Sequence, residues 1–342
     1  MRVAVIGAGA VGGTIAALLA RAGHDVEATA RGEHLAAMRA DGLRLRGAYG
    51  DYTARIAASG RVTARPELAF VTTKAQDAAA AIGASAGLLA RIPVVVVQNG
   101  LQSIDGARAA LPHSPLVGGL ALFAASHLEP GVVDVTARGS LVLGSDRGDR
   151  VAARAAAGLI TRALGDDLPV SVVDDFAGAQ WTKLLINQVN ALPAITGLSV
   201  QEVVADRRLR RIMTASMREA AEVGLARGIH FASMQGLSDR LVRAFRFAPS
   251  RVAQLLPVAM ARRMGDVPNP GSTLQSIRRG QATEIDYLNG AIVDAAGATG
   301  IAVPVNRVMV DLVHEVELRG GFTAPAEVLA RVQQESAKTR RG

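Results

Sequence analysis

Lys183, Asn187 and Asn190 stand in a stretch that is otherwise apolar. Leu184, Leu185, Ile186, Val189 and Leu192 cover most of the circumference of a helix expected from Gln180 to about Gly197. At roughly 3.6 residues per turn the two asparagines lie about +40° and −20° from the lysine, so the three make one polar stripe. An ammonium taken out of water is costly, and a lysine so placed gives up its proton more readily. The stripe reads either as a face turned to water or as the lining of a cleft that offers one ammonium and two amides. Pro193 is expected to kink or shorten the helix.

A second group of residues opens the chain. Arg2–Ile6 is a short run rich in β-branched residues, and the stretch from Thr14 to Arg21 reads as a helix. Between them lie Gly7, Ala8, Gly9, Ala10, Val11 and Gly12. Strand, glycine turn and helix in that order is the setting a dinucleotide fingerprint needs. Gly7 permits the tight turn, Gly9 lets the backbone approach a pyrophosphate, and Gly12 lets helix and strand pack closely. The first N–H groups of the helix then face the phosphates. A second strand, Asp25–Ala30, should end beside the adenosine ribose. It ends in Arg31, and Glu27 lies too early to reach, which points to a 2′-phosphate and NADPH rather than NADH. Lys74 follows the strand Leu68–Thr72, and Asn99 follows the strand Pro93–Val97. Loops at the carboxyl ends of parallel strands bind ligands, so Lys74 and Asn99 are candidates to meet the nicotinamide and its substrate.

The elements that must hold these residues follow from periodicity. Residues 43–56 look like an inserted hairpin around a glycine turn. Strands at 115–123, 131–135 and 140–143 succeed one another without helices, which predicts antiparallel pairing at one end of the sheet. A helix at 151–164 and a last strand at 170–173 complete this part. From Asp174 the pattern is helical: 207–227, 238–246, 250–264, 273–279 and 306–318. Pro268–Ser272 is a turn exposing Asn269 and Ser272. Thr283 is the expected N-cap of a helix running to about Ala298, with Asp286 at its third position and Glu284 complementing its dipole. The fold class is therefore α/β: an N-terminal Rossmann-like dinucleotide-binding domain over residues 1–173, an all-α C-terminal domain over 174–320, and a tail over 321–342.

Composition sets bounds. A chain of 342 residues, half of them hydrophobic, can form two domains with their own cores. No run is long and apolar enough for a membrane span. Met1 is followed almost at once by the first strand, so no signal peptide and a cytoplasmic location are expected. The absence of cysteine excludes disulfides and thiolate metal sites. The six histidines are scattered, so no metal site is expected, and each reads as a surface or loop residue. The net charge of +8 raises nucleic-acid binding as a possibility. The arginines are spread along the chain, aromatics are only 3%, and no nucleic-acid module appears, so a positive field that attracts an anionic cofactor and substrate is the preferred reading.

The motifs Gly7-x-Gly9-x-x-Gly12, Lys74, Gln98-Asn99-Gly100, Trp181-x-Lys183-x-x-x-Asn187, Asn269-Pro-Gly-Ser272 and Thr283-Glu284-Ile-Asp-Tyr-Leu-Asn-Gly290 occur in that order. Together they resemble the ketopantoate reductase (2-dehydropantoate 2-reductase) family, to about residue 320. The resemblance implies NADPH-dependent reduction of a 2-oxo acid to a 2-hydroxy acid, for the namesake 2-dehydropantoate to (R)-pantoate in pantothenate and coenzyme A synthesis. It makes Lys183 the general acid and Glu284 the essential glutamate. Asn99 falls near cofactor and substrate with Lys74 beside it, and Asn187, Asn269 and Ser272 fall at substrate-binding positions. Well-known members carry a second asparagine four residues after the first. Here that position is Ala191, and Asn190 lies three residues on. The stretch from Gly228 to Asn269 is also longer than in compact members, and both departures bear on which 2-oxo acid is used. Another 2-oxo or 3-hydroxy acid dehydrogenase is the alternative enzyme, and a non-catalytic NADP-sensing regulator the alternative of another class. The expected partner is a small anionic 2-oxo acid, with no nucleic acid or membrane, and the chain is expected to be a monomer or homodimer.

Overall fold

A computed structural model describes residues 1–101, 103–145 and 149–339, with Ser103 described by its backbone alone. The chain divides into two compact units, Met1–Phe176 and Ala177–Gly342.

In the first unit the elements run β1 (Arg2–Ile6), α1 (Ala10–Arg21), β2 (Asp25–Thr29), α2 (Gly32–Asp41), β3 (Leu43–Gly47), β4 (Tyr52–Ala54), β5 (Ala57–Ser59) and β6 (Leu68–Val71). They continue with α3 (Ala75–Gly83), α4 (Ala86–Leu89), β7 (Val94–Val97), α5 (Ser103–Ala110), β8 (Leu116–Ala121), β9 (Ala124–Ser126), β10 (Val132–Ala137), β11 (Leu141–Gly144), α6 (Arg150–Leu164) and β12 (Val170–Val172). Among the described residues the main sheet has the order β12-β11-β8-β7-β6-β1-β2-β5. Its central strands are parallel, and β8 and β11 pair antiparallel. A parallel sheet covered on both faces needs strands that are apolar throughout. The run Val94–Val97 meets that need: its first three valines are fully buried. Strand order reverses at β1, where β2 lies on one side and β6 on the other, and such a switch point opens the crevice in which these sheets bind ligands. Ile15, Leu18 and Leu19 bury the inner face of α1.

One expectation for this unit needs correction. The strand at 131–135 does not join the end of the main sheet. As β10 it leaves to form a second sheet, β4-β3-β10-β9, running parallel to β3. The expected hairpin supplies that partner: β3 and β4 pair antiparallel, and Val133 and Val135 bury themselves beside Leu43 and Leu45. The short strand β5 was not legible. It extends the sheet beyond β2, where Glu27 accepts hydrogen bonds from Ser59 Oγ at 3.0 Å and Thr63 N–H at 2.9 Å.

The second unit is helical: α7 (Phe176–Asn187, its first residue in the first unit), α8 (Ala191–Thr196), α9 (Val200–Ala205), α10 (Arg207–Ala226), α11 (Asp239–Phe247), α12 (Ser250–Ala253), α13 (Leu255–Arg263), α14 (Gly271–Arg278), α15 (Asn289–Gly297), α16 (Pro304–Arg319) and α17 (Pro325–Thr339). None of the described helices is long and apolar enough to cross a membrane. Caps fix several starts. Ser199 and Glu202 form a capping box on α9, and the Asp206 carboxylate accepts the Arg208 and Leu209 N–H groups at the head of α10. Each such cap stabilises its helix by about 0.5–2 kcal/mol.

Prolines set two breaks. The expected helix 180–197 is two helices separated at Gln188–Asn190, with Pro193 the third residue of α8. Proline lacks an N–H and clashes with the carbonyl four residues back, so the chain breaks before it and places it in a first turn, where no donor is needed. Pro257 splits 250–264 into α12 and α13 in the same way. The helix expected from Thr283 begins only at Asn289. Thr283 Oγ1 caps the Ile285 N–H at 3.3 Å, but Ile285–Tyr287 is a single 3-10 turn, and Leu288, at φ −105° and ψ −91°, interrupts it. The presumed tail is also corrected: most of 321–342 is α17, which packs on α16 and α10 with Val328 and Val332 buried. Of the loose end expected from Ser336, residues 340–342 lie outside the described residues.

Candidate active site

The first unit assembles the candidate cofactor residues at the carboxyl ends of β1, β6 and β7. Gly7 has φ +98°, and a Cβ there would sit 2.8 Å from the Thr73 backbone nitrogen. At Gly12 a Cβ would fall 2.1 Å from the Gly7 carbonyl oxygen, a collision with backbone that no side-chain shift relieves. At Gly9 a Cβ would meet nothing within 4 Å, so the turn presents bare backbone on its open side. No side chain caps α1 and no acid sits in its first turn, so its Ala10, Val11 and Gly12 end keeps the positive character that suits a phosphate. The residues present thus fit a dinucleotide.

The turn is held by side chains that sequence reasoning missed. Thr29 Oγ1 accepts the Gly7 N–H at 3.0 Å, and Thr72 Oγ1 donates to the Gly7 carbonyl at 2.7 Å. His34, on α2, lies 2.7 Å from the Ala8 carbonyl through Nε2 and accepts the Gly131 N–H at Nδ1, 2.8 Å away. Because an N–H can only donate, Nδ1 carries the lone pair and Nε2 the proton. Burial, then the neighbouring His127, push the His34 pKa down to about 4, so the ring is neutral. This histidine is not the plain surface residue expected.

Lys74 occupies the N-cap of α3 and Asn99 a turn after β7, both half-buried. Their loops are joined: Gln98 Nε2 donates to the Thr73 carbonyl at 2.8 Å. Arg31 stands at the end of β2 with its side chain 80% exposed, 3.1 Å from the Asp77 carboxylate on α3. The Glu27 carboxylate is engaged by Ser59 and Thr63.

In the second unit Lys183 and Asn187 lie one turn apart on α7, whereas Asn190 falls in the break before α8 and leaves the stripe. The rotation of α7 is fixed by the two residues before the lysine. Buried Trp181 meets Phe231 edge-on with ring centroids 6.5 Å apart, and Thr182 Oγ1 lies 2.9 Å from the Ala232 carbonyl. Lys183 is half-buried, and desolvation lowers its pKa to about 8. An ammonium so tuned is charged at neutral pH yet ready to release its proton.

Asn190 is brought to the Asn269–Ser272 turn. Gly271, at φ +71°, lies so close that a Cβ would be 2.5 Å from Asn190 Oδ1. Asn269 builds the turn itself. Its Oδ1 accepts the Gly271 N–H at 2.8 Å, its N–H donates to Gln201 Oε1 at 2.9 Å, and its carbonyl accepts the Val200 N–H at 2.8 Å. Ser272 is exposed on the first turn of α14. Glu284 is half-buried immediately before the 3-10 turn.

A buried network ties these pieces together. Gln188 Oε1 accepts from Ser216 Oγ at 2.9 Å and Asn289 Nδ2 at 2.8 Å, and Asn289 Nδ2 also reaches Asn306 Oδ1 at 2.9 Å. Glu219 accepts the Val305 and Asn306 N–H groups, both at 2.9 Å, at the head of α16. Burial raises its pKa to about 7 against those hydrogen bonds. The end of α7 is thereby fixed to the start of α15, just beyond Glu284. The available sequence signal was polar residues at core positions of apolar helices, which persist in a core only when satisfied.

A parallel sheet with a glycine turn at its switch point, joined to a helical unit bearing a half-buried lysine, defines a dinucleotide-dependent oxidoreductase class. The family model for ketopantoate reductase PanE/ApbA matches residues 3–148, and that for its C-terminal domain matches residues 175–317. The chain therefore belongs to the ketopantoate reductase family. It is 31% identical to a 2-dehydropantoate 2-reductase of Caulobacter vibrioides over 92% of this chain and 99% of that one. A 2-dehydropantoate 2-reductase of Pyrococcus horikoshii is 27% identical over 94% and 99%. Among solved structures, a PanE/ApbA family ketopantoate reductase from Ralstonia eutropha matches with a TM-score of 0.76 and 32% identity, covering 93% of this chain and 99% of that chain. D-mandelate dehydrogenase with NADH and anilino(oxo)acetate matches with a TM-score of 0.78 at 22% identity over 93% and 99%, a likeness of fold.

Proposed function

We propose that this chain catalyses the NADPH-dependent reduction of a 2-oxo acid to a 2-hydroxy acid, with 2-dehydropantoate to (R)-pantoate as the reaction. The observation that carries the reading is Lys183, half-buried on α7 with its pKa lowered to about 8. Reduced nicotinamide, when bound, supplies a hydride to the carbonyl carbon. Negative charge then grows on the carbonyl oxygen, and a group that is both cationic and able to give up a proton stabilises it best. Lys183 is that general acid. Glu284 is its acidic counterpart in the same unit. Asn187, Asn190, Asn269 and Ser272 orient the acid's polar groups, and Asn99 and Lys74 hold the nicotinamide end. The glycine turn and the head of α1 hold the pyrophosphate, and Arg31 the 2′-phosphate, for which its exposed guanidinium is well suited.

The test is a panel of 2-oxo acids with NADPH and NADH. The expected outcome is turnover of 2-dehydropantoate with NADPH favoured, and Arg31→Ala raising KM for NADPH far more than for NADH. Turnover of a different 2-oxo acid alone would move the substrate assignment, and the Asn190–Ala191 departure makes that the reading to test beside it. Equal effects of Arg31→Ala on both cofactors would remove the NADPH assignment.

A further inference from the structure

One helix grips the Glu284 segment on both sides. Before Glu284, the Thr283 N–H donates to Glu317 Oε1 at 2.6 Å. Two residues after it, Asp286 Oδ1 lies 2.9 Å from His314 Nε2. The two anchors are tied to each other, since His314 Nδ1 is 2.9 Å from Glu317 Oε2. His314 and Glu317 both belong to α16, and with Asp286 of the 3-10 turn they form a carboxylate–imidazole–carboxylate chain spanning the residues that flank Glu284.

The chain has a defined protonation state. Each ring nitrogen faces a carboxylate oxygen, and an ionised carboxylate can only accept. Both nitrogens must therefore carry hydrogen, which makes the ring an imidazolium. A neutral ring would turn a lone pair toward an anionic oxygen on one side. The charged groups around the ring are Asp286 from the 3-10 turn and Glu317 from its own helix. Beyond them, Asp294 of α15 and Arg307 and Asp311 of α16 line a surface cavity with Asp286. Glu315 of α16 is engaged by Arg331 of α17 at 2.7 Å. The Asp286 arm is the exposed one and the Glu317 arm the more buried, with side chains 62% and 22% accessible.

We propose that His314 is a positioning residue for Glu284, a protonated clasp that fixes the 283–286 segment and loosens it when the proton leaves. This rests on the reading of Glu284 as part of the catalytic machinery. Burial works against the charge on the ring, but the hydrogen bonds it donates to Asp286 and Glu317 outweigh that and hold the His314 pKa above its usual value. The sign follows: the clasp is closed below that raised pKa and opens as pH rises through it. A neutral ring keeps one donor, so the weaker, exposed Asp286 arm is the one that lets go.

The experiment follows the His314 Cε1–H resonance by NMR through a pH titration of the protein without cofactor, alongside KM and kcat for the 2-oxo acid across the same range. In the unmodified protein the resonance titrates above the ordinary histidine range, and KM for the 2-oxo acid rises through the same midpoint while NADPH affinity does not. Asp286→Asn lowers that midpoint and removes the step in KM. His314→Ala leaves KM raised roughly ten-fold at every pH, the scale of a slightly misplaced group. His314→Gln, which keeps one donor, falls between the two. An ordinary His314 midpoint, or a KM profile unchanged in Asp286→Asn, overturns the clasp. If His314→Ala does not fold, Asp286→Asn, an exposed change, decides alone. Glu284→Gln separates the two levels. Near-normal activity there removes the role of Glu284, while the NMR midpoint still reports whether the imidazolium chain exists.

Discussion

A lysine kept half out of water is a compromise between stability and chemistry. With a pKa of about 8, Lys183 is protonated in about nine-tenths of molecules at pH 7. The reductive rate should therefore fall as pH rises through about 8, which a pH–rate profile for kcat checks. The folded pKa lies below the unfolded value of 10.5. Between those values the unfolded chain binds more protons, so this group adds stability as pH climbs from about 8 toward 10.5 and costs stability below. Lys183→Met should abolish turnover, read from NADPH oxidation with the 2-oxo acid. Arginine cannot replace it, because a guanidinium does not release its proton near neutrality. At this scale the sequence was informative. The chain holds 38 lysines and arginines, of which only Lys74, Lys183 and Lys338 are lysines, and two of those three are candidate site residues. Histidine roles were not legible, because His34 and His314 act on residues distant in the chain.

Elements carry the site by being held to one another. The glycine turn could be read from spacing, since the steric demands at Gly7 and Gly12 are local to strand, turn and helix. Its supports could not, because Thr29, Thr72 and His34 come from other elements. The His34 strut makes a prediction of its own. His34→Ala should weaken NADPH binding by about 1 kcal/mol, the worth of a hydrogen bond to the turn, measured by NADPH fluorescence. Because the ring is already neutral, with a pKa of about 4, the binding should be flat in pH between about 6 and 8 as far as this group is concerned. Helix breaks were legible in kind and misplaced in position. Proline forbids the donor it lacks, so it acts on the residues before it, and the break falls at Gln188–Asn190 rather than at Pro193.

For the whole molecule, periodicity separated sheet from helices because a parallel sheet and a helical core use different apolar repeats. Pairing partners were less visible. The exchange that sends β10 to β3 joins residues about 88 apart, as the Arg46–Asp134 ion pair at 2.7 Å shows, and no local pattern encodes such a match. The C-terminal helix was lost to its polar composition, since only Val328 and Val332 bury themselves and Arg331 pairs with Glu315. Truncation after Gly321 should therefore lower stability by about 3–6 kcal/mol, from two buried valines at about 1.5–3 kcal/mol each. Thermal denaturation checks this, and an unchanged midpoint would make α17 an ornament of the fold.

Asn190 and Gly271 have a consequence for anyone redesigning this enzyme. An L-residue at 271 meets both a left-handed backbone and the oxygen of the amide opposite. A library that varies position 271 alone will return mostly dead clones. Diversity has to be introduced at 190 and 271 together, with the three-residue turn before α8 as the hinge on which new pockets are drawn.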